Sequence, residues 1–130
     1  MTHAFRLRPG QDLREEIQQY AEKNRIMAGC ITTCVGSVSV AVLRMAGAKQ
    51  VKIFKGKHEI VSLVGTVSVN GSHLHLAISD EEGRVFGGHL KEGTIIETTA
   101  EIVLNKFPDR VFRRMSDFET GFDELVVDET

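Results

Sequence analysis

Apolar and small polar residues alternate along much of the chain, the period-two pattern of strands with one buried face. AGCITTCVGSVSVAVLRM, residues 28–45, is rich in β-branched side chains and carries Gly36 and Ser37 where a bend or bulge fits. QVKIFKG, HEIVSLVGTVSV, SHLHLAIS, RVFGGHL and TIIETTAEIVLN follow as further strands, divided by glycine or asparagine. One segment departs from this alternation. RPGQDLREEIQQYAEKNRI sets Leu13, Ile17, Tyr20, Ala21 and Ile26 along one helical face, with Pro9 and Gly10 as breakers ahead of it and Asp12 and Glu15 spaced as a capping box. After Pro108 come RVFRRM and FETGFDELVV, which read as a return to the sheet as a last edge strand. The pattern predicts one α+β domain over residues 1–130, a mostly antiparallel sheet with one principal helix packed on it.

Two turns fix an expected register. DEEG at residues 80–83 suits a type I turn ending in a left-handed glycine, closed by Asp80 and Arg84, which sets His75 opposite His89. Leu74, Leu76, Ile78, Phe86 and Leu90 then face the core, while His73, His75, Ala77, Ser79, Gly87 and His89 share the other face. A bulge at Gly87-Gly88 would reverse the last assignment. VNGS at residues 69–72 offers an Asn-Gly hairpin closed by Val69 and Ser72, which sets Thr66 opposite His75 and Ser68 opposite His73, with Val61, Leu63, Val67 and Val69 joining the apolar face.

Composition narrows the function classes. The chain has 130 residues, 42% of them hydrophobic, enough to bury a core, yet no apolar run approaches the roughly 18–20 residues of a membrane span. The first residues lack the apolar centre of a secretory signal, so the expected location is cytoplasmic, with no membrane partner. Cys30 and Cys34 have neither redox nor zinc-knuckle spacing and read as small buried hydrophobes. With 16 Lys and Arg against 18 Asp and Glu, net charge gives DNA binding no support.

Candidate chemistry therefore centres on three imidazoles. Neutral histidine ligates zinc and similar divalent metals, and catalytic sites often use three protein ligands and keep a fourth position open. His73 and His75 point the same way from one strand, and His89 on the next strand can complete the set. Small neighbours leave room above them, and Thr66, Ser68 and Ser79 could orient ligands or water. The same three histidines could equally form a solvated polar face. His58 and His3 lack such a setting and read as surface residues. Glu59 and Glu101 sit in strand patterns where an acid is less usual, as ion-pair partners, supports for a metal ligand or a general base. No serine or cysteine nucleophile signature, phosphate loop or dinucleotide fingerprint is present, so no catalytic residue is assigned.

The combination of RLRPGQDL, ITTCVGSVSVAVLR, HEIVSLVGTVSVNGSHLHLAIS, DEEGRVFGGHL, GTIIETTAEIVL and FETGFDEL resembles the plants-and-prokaryotes-conserved (PPC) domain family across nearly the whole chain. The resemblance implies a compact α+β domain that forms a homotrimer. It also implies a histidine cluster for a zinc-like ion, which maps onto His73, His75 and His89. Plant members carry an AT-hook ahead of the domain, and the DNA-binding label often travels with the family. RLRPG is not that motif, so the minor-groove arm is missing from these residues.

Three readings follow. One is a trimeric metal-binding domain whose open position takes a small-molecule ligand or activates water, as in a hydrolase or lyase. Another is a DNA-associated accessory protein, which would need Arg110, Arg113, Arg114 and Lys49, Lys52, Lys55 and Lys57 to cluster in the trimer. The third is a structural interaction module in which the histidines only stiffen the assembly.

Overall fold

A computed structural model of the chain describes residues 1–129; Thr130, the last residue of the expected domain, lies outside them. The elements run β1 (Thr2–Leu7), α1 (Leu13–Lys23), β2 (Ala28–Arg44), β3 (Val51–Ser68), β4 (Gly71–Ser79), β5 (Val85–Leu90), β6 (Ile95–Lys106), β7 (Arg110–Ser116) and β8 (Asp123–Glu129). The six-stranded antiparallel sheet has the order β1-β6-β2-β3-β4-β5, and β7 with β8 forms a separate two-stranded ribbon. This is the α+β architecture expected, with the one helix against the sheet.

Strand β2 organises the sheet. Its seventeen residues pair with β3 along one edge and with β6 along the other. Past the first residue of β6, which pairs with Val40, Leu43 and Arg44 of β2 pair with Leu90 and His89 of β5. Strands β2 to β5 therefore curl round until the last meets the first. Register shifts near Gly36 and Val38 bend β2 enough to serve all three neighbours.

Helix α1 begins as the capping box predicts. The Asp12 carboxylate accepts a hydrogen bond from Glu15 N at 3.0 Å, and its other oxygen accepts one from Gly93 N at 2.7 Å, fastening the helix start to the loop before β6. Leu13, Ile17, Ala21 and Ile26 are buried in one hydrophobic cluster with residues from β1, β2, β3, β4, β5 and β6. Leu13, Ile17 and Ile26 each contribute about 1.5–3 kcal/mol by leaving water, and Ala21 less. Tyr20 is half-buried and stacks on Phe5, with ring centroids 3.9 Å apart. Cys34 is buried, and burial beside Glu101 pushes its thiol up to about 12, as expected of an inert core cysteine.

Several expectations need correction. The 51–68 stretch is one strand rather than two, because Gly56 takes φ +102 within it and lets the chain continue. The β3–β4 hairpin turns on Val69 and Asn70, so Ser68 pairs with Gly71, Thr66 with His73 and Val64 with His75, two residues from the predicted register. The cause is outside the hairpin. Asn70 acts as a strand partner for β7: its Oδ1 accepts from Arg114 N and its Nδ2 donates to Arg114 O, each at 2.7 Å, while Val69 N donates to Phe112 O at 2.9 Å. Those bonds hold Val69 and Asn70 at the apex and leave Gly71, at φ +134, to start β4. A slide of two residues preserves the alternation, so the two faces keep most of their members.

Val61 is an exception. It falls at a register shift between Ile60 and Ser62, so Ile60 enters the core and Val61 is exposed, as is Val69 at the turn. The tail does not rejoin the sheet as an edge strand but folds on itself as β7–β8. His58 is buried, its Nδ1 2.8 Å from Gly56 O, and His3 is half-buried with its Nδ1 2.9 Å from the Tyr20 hydroxyl. Neither is the surface histidine the sequence suggested, because each has found a local polar partner.

Candidate metal centre

The β4–β5 hairpin keeps the register its DEEG turn predicts. Asp80 N donates to Arg84 O, and the Asp80 carboxylate accepts from the backbone of Glu82 and Arg84 and from Arg84 Nε at 2.8 Å. Burial raises the Asp80 carboxyl, but these bonds outweigh it and hold the group below its ordinary value. The ladder runs without a shift from Ser79↔Val85 through Ala77↔Gly87 to His75↔His89. Gly87-Gly88 therefore introduces no bulge, and His89 stays on the face of His73 and His75.

The three imidazoles come together. One nitrogen from each of His73, His75 and His89 lies within 4.8 Å of the other two, and the ring centroids are 5.1–5.7 Å apart. They border a cavity of about 610 Å³, floored by Ala77, Gly87 and Gly88 and walled by Met45, Val64 and Phe122. Burial, then Arg44 and the neighbouring imidazoles, pushes His89 down to about 4. Burial, Arg114 and His75 likewise lower His73, against a smaller opposing pull from Glu124. Both effects favour the neutral form, which is the one that ligates metal. His89 Nδ1 is buried without a hydrogen-bond partner.

Arg114 bears on the fit. Its Nη2 lies 3.3 Å from His73 Nδ1, and since a guanidinium can only donate, that nitrogen presents its lone pair to Arg114. Neutral His73 then carries its proton on Nε2. A neutral imidazole has a single lone pair, so a metal held on His73 would compete with this long, weak contact. The set of three neutral nitrogen donors fits a zinc-like ion, with Arg114 as a competitor for one of them.

The other predicted residues divide by position. Thr66 borders a small recess with His73 and His75 and is their neighbour on β3. Ser68 is buried at the turn end of β3, its hydroxyl without a partner. Ser79 and the exposed Glu59 pair across β3–β4 and line a different cavity, away from the three imidazoles. The arginines offered for DNA are engaged elsewhere: Arg110 with the Asp109 carboxylate at 3.1 Å, Arg113 with that of Asp128 at 2.7 Å, and Arg114 with the Asp123 backbone carbonyl and, at 3.8 Å, the Glu124 carboxylate. Sequence reasoning missed Arg44 and Phe122 as cavity residues. Nothing local marks either one, because Arg44 arrives through the β2–β5 pairing and Phe122 on the turn of the β7–β8 ribbon.

The sequence profile of the Plants and Prokaryotes Conserved (PCC) domain matches residues 1–108. The chain belongs to that family. It is also similar to a hypothetical protein of known structure from Salmonella cholerae-suis, with 36% identity, a TM-score of 0.96 and coverage of 99% of this chain and 94% of the other. A metal-containing protein from Archaeoglobus fulgidus is 27% identical with a TM-score of 0.84, over 97% and 93% of the two chains. The bifunctional protein GlmU of Synechococcus sp. (strain JA-3-3Ab) is 41% identical over 127 residues, 98% of this chain. The chain spans about a fifth of the length of the curated relatives it matches. No helix among the described residues is long and apolar enough to cross a membrane.

Proposed function

We propose that residues 1–130 form a single PCC-type domain that holds a zinc-like divalent ion on His73, His75 and His89 and works as a cytoplasmic homotrimer. The observation that carries the metal reading is the meeting of three ligand nitrogens within 4.8 Å at the edge of a cavity. The metal-containing relative from Archaeoglobus supports it. Thr66 is the residue best placed to orient His73 or His75. A bound ion would supply Lewis acidity to a small molecule in the cavity. The protein residues would favour neutral His73 and His89 and wall the cavity with apolar groups. Self-association draws support from Val35 and Val61, each more than half exposed and turned away from the core.

Elemental analysis of protein purified without chelator, beside the His73, His75 and His89 triple-alanine variant, tests the metal. The expected result is about one ion per chain, lost in the variant. No metal in either protein after added zinc would refute the reading. Sedimentation tests the assembly, with a trimer expected and a monomer at working concentration contradicting it.

A further inference from the structure

Resting on the metal reading, we propose that the cavity takes a small organic anion with an apolar body, and that Arg44 is the residue that recognises its acidic head. Arg44 ends β2 directly opposite His89 on β5. Cross-strand partners share a face at a Cβ separation of about 4.5–5.5 Å, so the guanidinium rises beside the imidazole that borders the cavity. Its carbon lies 5.8 Å from the centre of the Phe122 ring, which steadies it from the ribbon side.

Charge balance points to the ligand class. Three neutral imidazoles bring no negative charge to a divalent ion, and Arg44 adds a further positive one. Arg44 also borders an adjoining recess, where two other arginines each have an acidic neighbour: Arg14 with Glu15 at 3.4 Å and Arg114 with Glu124 at 3.8 Å. Asp123 also borders that recess. Arg44 has no carboxylate within ion-pairing distance among the described residues, and no acid lines the larger cavity. An incoming anion would supply the missing charge. Met45, Ala46, Ala48, Val64 and Phe122 would cover its body. The half-exposed Phe122 and exposed His75 leave a mouth for it to enter.

The test uses the zinc-loaded full chain and calorimetric titration with 3-phenylpropanoate, phenyl phosphate and the uncharged 3-phenylpropanamide. Binding of one or both anions is expected, with the amide at least roughly tenfold weaker; which anion binds separates a carboxylate from a phosphate head. Arg44→Gln should lose roughly tenfold or more in affinity for the preferred anion while keeping its zinc content and melting temperature, and Arg44→Lys should recover part of it. Equal binding of acid and amide, no binding of either anion, or an Arg44→Gln variant that binds like wild type would overturn the proposal alone. Failure of the wild type to load zinc would overturn the metal reading beneath it, and the zinc content measured on each sample tells the two failures apart.

Discussion

Gly88 couples the fold to the candidate metal centre, and Gly88→Ala measures that coupling. A Cβ there would meet Arg44 O at 2.8 Å, Met45 Cε at 3.0 Å and Leu43 Cβ at 3.2 Å. The Met45 methyl can swing away, but the other two belong to the β2 backbone and its first side-chain atom. Ordinary contact begins near 3.4 Å, so the Arg44 carbonyl must recede by about 0.6 Å, and β5 must part from β2 just where His89 pairs with Arg44. Overpacking of this kind costs about 1–3 kcal/mol, and the lower chain entropy of alanine in the unfolded state offsets about 0.4–1 kcal/mol. The net loss is roughly 1–2 kcal/mol, a melting temperature lower by roughly 3–8 °C in a domain of this size. Calorimetry of the metal-free variant reads that shift. Competition for zinc against a chelator should show affinity falling about 10- to 100-fold, the scale for losing the support of a metal ligand. Gly87→Ala is the stability control, since the atoms nearest its Cβ are Leu76 O at 3.1 Å and Ala77 Cβ at 3.5 Å, both on β4. If Gly88→Ala matches wild type in stability and zinc affinity, the β2–β5 closure does not set the position of His89.

Arg114→Gln should raise zinc affinity about three- to tenfold by removing a competitor worth roughly 0.5–1.5 kcal/mol for the lone pair of His73; a chelator competition that shows weaker binding would contradict this. Asn70→Ala removes both bonds to Arg114 and should cost about 1–2 kcal/mol in urea unfolding, with faster hydrogen exchange at Arg114 N; unchanged exchange there would show that Asn70 does not anchor the ribbon. For Asp80, a carboxyl held below its ordinary value of 3.8 stabilises the fold above that pH and loses the effect as pH falls through its lowered value. The melting difference between wild type and Asp80→Asn should thus be full at neutral pH and shrink under acid, and a gap that does not change with pH would sink the assignment.

What could be read from the sequence was local. The DEEG turn specified the β4–β5 pairing by its own chemistry, so the opposition of His75 and His89 followed from residues within a twenty-residue window. Asp12 and Glu15 fixed the helix start in the same way. The Asn-Gly pair failed because Asn70 spends its amide on β7, more than forty residues on, and a distant partner outweighed a local turn preference. Val61 failed because a bulge breaks strict alternation. Arg44 was invisible for a related reason: its neighbourhood exists only once β2, already paired with β3 and β6, also closes on β5.

The floor and the walls of the cavity thus have separate origins. His73, His75, His89, Ala77 and Gly87 all belong to one hairpin, whose register depends on a tight turn and a continuous ladder. Arg44 and Met45 come from the end of β2, and Phe122 from the turn of the β7–β8 ribbon. The hairpin, with its backbone closed on β2, can hold its three nitrogens together whatever side chains stand opposite, whereas recognition of a ligand depends on which side chains the strand end and the ribbon bring. Substitutions in the walls should then change which molecule is accepted without dispersing the imidazoles. The exception is Arg114, which belongs to the ribbon but contacts His73, so the ribbon affects metal affinity as well as ligand choice.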